Sequence, residues 1–170
     1  MNIITDDIPV GTSLPPVSRQ LRPEIFNKGD ERNIHTDEEA ARREGLPAPV
    51  AVGPQVAAVI FKMMHLCFGE GWIKGGRWDL TFRRPTYVHD LIIAKGIVKD
   101  KQPEGEAVRV ECNVWVEKQD GEKVIVGTAS GLVREGPDNL VDCELRLENQ
   151  SGEVTVKREA TFIMPSREEK

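Results

Sequence analysis

The chain has 170 residues, three cysteines and a formal net charge of −5. A chain of this length can bury most of its apolar surface in one domain, and its interspersed acids and bases form no basic stripe of the kind that neutralises a phosphate backbone, which argues against nucleic acid as a partner. Cys67, Cys112 and Cys143 sit in apolar stretches without metal-ligand spacing, which predicts free thiols, no metal site and a reducing, cytoplasmic setting.

The opening residues Met1 to Pro9 carry two aspartates and neither a basic nor an apolar leader region, and no apolar run reaches the roughly 20 residues that span a bilayer. The expectation is a protein that is neither exported nor bound to a membrane. Pro, Gly and charge dominate up to about Arg32, so residues 1–27 read as an arm in which Val17 to Leu21 alone suits a short strand. Thr36 then stands as a hydroxyl N-cap before a short helix, Asp37 to Glu44, with acids in its first turn, bases in its last and Gly45 as its stop.

After the Pro47-Ala48-Pro49 linker, Gly53-Pro54 opens a second helix running from Gln55 to about Phe68. Proline suits its first turn, where a missing N–H costs nothing. The helix is apolar nearly all round, which predicts enclosure, with His65 as a core histidine and Met63 and Met64 filling gaps.

From Gly75 onward the hydrophobic period changes from helical to alternating. Strands are expected over Arg77 to Arg84, Leu91 to Lys99, Ala107 to Glu117 and Glu122 to Val133, the last two joined by a tight turn at Gln119-Asp120-Gly121. A further hairpin, Cys143 to Glu148 and Glu153 to Met164, follows. Trp72, Trp78 and Trp115 read as packing residues, and His89 as solvent-facing. These elements describe an α+β domain, an antiparallel sheet wrapped around one buried helix. Open sheet edges would favour a dimer.

Several motifs carry a family resemblance: Gly29-Asp30-x4-His35, the following Thr36-Asp37-Glu38-Glu39-Ala40-Ala41, the Gly45-Leu46-Pro47-Ala48-Pro49 linker, Gly53, and Phe82-Arg83-Arg84-Pro85 with Asp90. Together they resemble the MaoC-like hot-dog proteins, which include (R)-specific enoyl-CoA hydratases and 3-hydroxyacyl-thioester dehydratases. The resemblance covers about 28–133 and implies a hot-dog core there, so the chain reads as a single hot-dog domain to which the arm 1–27 and the C-terminal hairpin, 138–165, are extensions. It implies a homodimer or larger homo-oligomer and an acyl thioester substrate. No separate cofactor is implied, since coenzyme A or phosphopantetheine belongs to the substrate. Where the family usually reads Gly-Asp-x-Asn-Pro-x-His, this chain has its Asn at position 33 and no Pro, and Val52 stands where a histidine commonly precedes the central helix.

Carried onto matching positions, the resemblance makes Asp30 and His35 the pair that holds the water added to or removed from the acyl chain, and Gly53 the amide that binds the thioester oxygen. The chemistry suits these groups. Hydration of an α,β-unsaturated thioester needs a base for water, an acid for the α-carbon and a donor for the enolate-like oxygen, and a helix start supplies such donors. With Pro54 donating nothing, Gly53 and Gln55 remain as the amides, while an arginine such as Arg84 suits the phosphates of the carrier arm. Two other classes stay open on this sequence. One is a non-catalytic hot-dog subunit that binds acyl thioesters; the other is a thioesterase, for which the apolar run Val56 to Phe61 offers no carboxylate.

Overall fold

The structure, a computed structural model, describes residues 4–22, 32–134, 140–148 and 154–163, with side chains up to Val133. The chain divides by packing into two compact units, 1–133 and 134–170.

In the first unit, a short strand β1 (Val17–Gln20) is followed by helix α1 (Glu38–Arg43), the long helix α2 (Gly53–Phe68) and a turn of helix α3 (Glu70–Gly75). Strands β2 (Arg77–Phe82), β3 (Leu91–Glu104), β4 (Ala107–Lys118) and β5 (Lys123–Arg134) complete it. They form a five-stranded sheet in the order β1-β3-β4-β5-β2, in which β1 pairs antiparallel with β3, β3 with β4 and β2 with β5. The alternation expected of half-buried strands is present: Ile92, Ala94 and Val98 of β3, and Val110, Cys112, Val114 and Val116 of β4, are buried. They meet Ile60, Met63, Met64, Cys67 and Phe68 of α2, which packs on β1, β3 and β4. Each such large side chain contributes about 1.5–3 kcal/mol on burial, so tertiary packing rather than helix propensity holds α2 in place.

Four details depart from the sequence reading. The cap of α1 is Asp37, whose carboxylate accepts the Ala40 N–H at 2.8 Å, while the Thr36 hydroxyl takes the Asn33 N–H instead. Helix α2 is not enclosed on every side: Lys62, His65 and Leu66 are exposed, so His65 is a surface residue rather than a core histidine. The third difference is α3, which has no counterpart among the expected elements. It lies so close to β5 that a Cβ on Gly71 would stand 1.8 Å from the Leu132 carbonyl oxygen. Finally, β3 runs on to Glu104 through a bulge between Val98 and Asp100. Pro103 is tolerated there because β1, paired only with Leu91 to Ala94, no longer runs alongside to require its missing N–H.

The second unit contains β6 (Leu140–Glu148) and β7 (Val154–Ile163), an antiparallel hairpin with Leu140 opposite Ile163. No described helix is long and apolar enough to cross a membrane.

Candidate active site

The loop before α1 is folded by its own side chains. Asn33 accepts the His35 N–H on its side-chain oxygen at 2.8 Å, and its carbonyl accepts the N–H groups of Thr36 and Asp37 at 3.1 and 2.9 Å. This turn aims the half-buried His35 ring at Val50, whose carbonyl lies 2.9 Å from Nδ1. A carbonyl oxygen only accepts, so Nδ1 carries the hydrogen, and whenever the ring is neutral its lone pair is on Nε2. The Val50 N–H in turn donates to the Ile34 carbonyl at 3.0 Å. Histidine loop and extended segment are thus tied in both directions.

That extended segment leads into α2. Ala51 donates to the Thr86 carbonyl at 2.8 Å, and Val52, the N-cap residue, makes no side-chain cap hydrogen bond. The Gln55 N–H donates to the Val52 carbonyl at 2.9 Å. This removes it from the pair of amides expected at the helix start and leaves Gly53, whose N–H meets no backbone acceptor among the described residues. The positive end of a 16-residue helix lies there.

Gly53 opens onto a cavity of about 380 Å³. Its floor is made of buried groups, Val50, Ala51, Val56, Thr86 and Ile125. Its rim is exposed and consists of Phe82, Arg83, Arg84 and Pro85. Arg83 and Arg84 lie just beyond the end of β2, not within an alternating strand that would send them to opposite faces, and both line this one cavity. The Arg84 guanidinium is 66% exposed and its Nε stands 3.7 Å from a Glu122 carboxylate oxygen, a pairing that water weakens and a stronger anion can displace.

The candidate residues are therefore brought together unequally. Gly53 and Arg84 line the cavity; His35 stands behind Val50 and reaches the wall through that residue's carbonyl. Asp30 lies outside the described residues. Sequence reasoning did not single out Thr86 or Ile125 as cavity residues; Ile125 sits directly opposite Phe82 in the β2 to β5 register, a pairing no local pattern announces. The core thiols take no part. Burial pushes Cys67 up to about 11 and Cys112 up to about 12, so neither is an effective nucleophile near neutral pH.

No protein-family model matches the sequence, and no curated protein does. Solved structures do. An (R)-hydratase, PhaJ1, from Pseudomonas aeruginosa aligns with a TM-score of 0.65 and 22% identity over 79% of this chain and 88% of its own. A MaoC-like dehydratase from Rhodospirillum rubrum gives 0.64 and 23% over 77% and 96%. The fold is that of the MaoC-like hot-dog proteins. The 3R-hydroxyacyl-ACP dehydratase HadBC of Mycobacterium tuberculosis shares this MaoC-like arrangement at lower identity, 16%, with a TM-score of 0.58 over 75% of this chain and 98% of its own. At such identities the likeness speaks for the fold, and the reaction has to be argued from the residues.

Proposed function

We propose that this chain is a hydro-lyase of acyl thioesters, adding water to a 2-enoyl thioester or removing it from the 3-hydroxyacyl form. The observation that carries the reading is an amide at an uncapped helix start, Gly53, opening into a largely apolar cavity whose Val50 wall also holds the Nδ1 side of the His35 ring. In the proposed reaction the thioester oxygen accepts from the Gly53 N–H, which stabilises the charge that develops as water attacks the β-carbon. His35 acts through Nε2 as the base toward that water and Asp30 shares it, one of the two returning the proton to the α-carbon. The phosphates of a coenzyme A or phosphopantetheine arm lie against Arg83 and Arg84 at the rim.

The partner in this reading is a second copy. Trp78 and Phe82 are 57% and 51% exposed on the edge strand β2, and the Phe61 ring contacts both Trp72 and Trp78, so α2, α3 and β2 share one apolar face beside a strand edge that no other described strand of the sheet covers. Two of the solved neighbours, HadBC and ChsH1-ChsH2 of Mycobacterium tuberculosis, are themselves two-protein complexes.

Hydration of crotonyl-CoA, followed by loss of its enoyl absorbance, tests the proposal. His35→Ala is expected to lower kcat by about 10² to 10⁴ with little change in KM. Turnover unchanged in that variant would refute the assignment. The position of His35 behind Val50 favours one other reading, a non-catalytic acyl-thioester binding subunit, for which the wild-type protein would bind butanoyl-CoA and hydrate nothing.

A further inference from the structure

The cavity has walls of two mechanical kinds. Val56 and Ile125 are 4% and 0% exposed and locked into the core, and Thr86, at 3%, is equally fixed. A close-packed interior holds such side chains in single rotamers. The rim differs. Pro85 is stiffened by its own ring, whereas Phe82 closes β2 with half of its surface in solvent. Its ring is nevertheless against the helix start: a Cβ on Gly53 would lie 3.2 Å from Cε1 and 3.4 Å from Cζ of Phe82. Trp78, Leu80 and Phe82 share one face of the strand, and that face looks toward α2, since Trp78 touches Phe61 and Phe82 touches Gly53.

We infer that Phe82 is the specificity-determining wall of this cavity, its ring setting how long an acyl chain fits beside the Gly53 amide. The inference rests on the acyl-thioester reading. A thioester whose oxygen sits at the Gly53 N–H must lead its acyl chain between this ring and the floor residues, directly past Ile125, the cross-strand neighbour of Phe82. The floor cannot retreat without opening the core. At Phe82, by contrast, removing the ring lengthens the channel without a change at Gly53 or His35. With Phe82 in place longer chains are disfavoured; each methylene so discriminated is worth about 10-fold or more in kcat/KM.

The experiment compares wild type, Phe82→Ala and Phe82→Leu in two series. One is kcat/KM for hydration of crotonyl-, hexenoyl- and octenoyl-CoA. The other is the affinity for saturated butanoyl-, hexanoyl- and octanoyl-CoA by calorimetry, which requires no turnover. The expected result is a rise of at least about tenfold in the octenoyl-to-crotonyl ratio for Phe82→Ala, a smaller rise for Phe82→Leu and a parallel shift in the affinities. If both variants change every chain length by the same factor, or change none, Phe82 has a packing role and the inference is overturned. If wild type hydrates nothing but its acyl-CoA affinities show the Phe82-dependent shift, the inference stands and the hydro-lyase reading falls. Absence of any acyl-CoA binding overturns the inference.

Discussion

The two edges of the five-stranded sheet are built on opposite plans. β1 is four residues long; Val17 turns into the core while Ser18, Arg19 and Gln20 face solvent, and the Gln20 amide is spent on the His89 carbonyl at 2.6 Å. That carbonyl belongs to a residue with a φ of +72°, held by its own N–H donating to Leu21. A short, polar edge with its side chains engaged resists addition of another strand. β2, at the far side, is longer and carries Trp78 and Phe82 in the open, next to the aromatic contacts of Phe61 and Trp72. The cavity rim is the continuation of that same strand. One edge closes the fold, and the other is where the proposed function and the proposed partner meet.

The largest effect expected from breaking this contrast is at Trp78. An exposed tryptophan at the centre of an apolar face is the type of residue whose truncation costs about 2 kcal/mol or more in binding, about 30-fold in Kd, and a charge there costs more. Trp78→Glu is therefore expected to convert a dimer into a monomer in sedimentation equilibrium at micromolar concentration, with the far-ultraviolet dichroism of the wild type retained. A wild-type mass that is already monomeric, or a variant mass equal to that of the wild-type dimer, would remove the contrast between the edges.

Part of this contrast is legible in the order of the residues alone. Alternation marks β2 to β5, Gln119-Asp120-Gly121 marks a turn in which Gly121 adopts a φ of +85°, and Pro54 before an apolar run marks α2. These are local signals, and local signals survive. What is not legible is what depends on tertiary contact. α3 has the poor helix propensity of a segment carrying Gly71 and Gly75, and exists because those glycines allow close approach to Leu132. The exposed flank of α2 is marked in the sequence by Lys62 and His65, but Leu66 beside them is placed outward by packing and not by type. The cavity draws on Val50, Phe82 and Ile125: the β2 to β5 register brings the last two together, and a bridge to Tyr87 brings Val50 to them. His35 and Gly53 are legible from the family resemblance, whereas the hydrogen bond through Val50 that links them to one wall is not.

A smaller effect should come from the polar anchor at the start of β2. Arg109, with a side chain only 12% exposed, donates to the Gly75 carbonyl at 2.8 Å and to Ser130 Oγ at 3.0 Å, and forms a fork with Glu104, which also accepts from Arg77 at 3.0 Å. Arg109→Met strips donors from the Gly75 carbonyl and the buried Ser130, a loss of about 1–2 kcal/mol in urea unfolding at pH 7. The sign of its pH dependence follows from Glu104. The Arg109 hydrogen bond, followed by the charges of Arg109 and Arg77, holds that carboxyl below its ordinary value of 4.5. Its contribution is present above pH 4.5 and is lost as pH falls through the lowered folded value. The gap between wild type and Arg109→Met should therefore narrow in acid; a gap that widens below about pH 4.5 would contradict the anchor.

The smallest expected effect lies on the other edge and is the most demanding check of the contrast. Arg19 projects into solvent from β1 opposite Ile92, and among the described residues no buried group depends on it. Reversing its charge with Arg19→Glu alters a polar edge into another polar edge. Away from cores, caps and networks, such a change stays within about 0.5 kcal/mol. It should leave both the unfolding free energy and the sedimentation mass as in wild type, in the same assays that register Trp78→Glu. If Arg19→Glu instead dissociated the protein, the β1 edge would be the adhesive one. The exposed aromatic face of β2 would then be free for another occupant, and the division of labour between the two edges would have to be reversed.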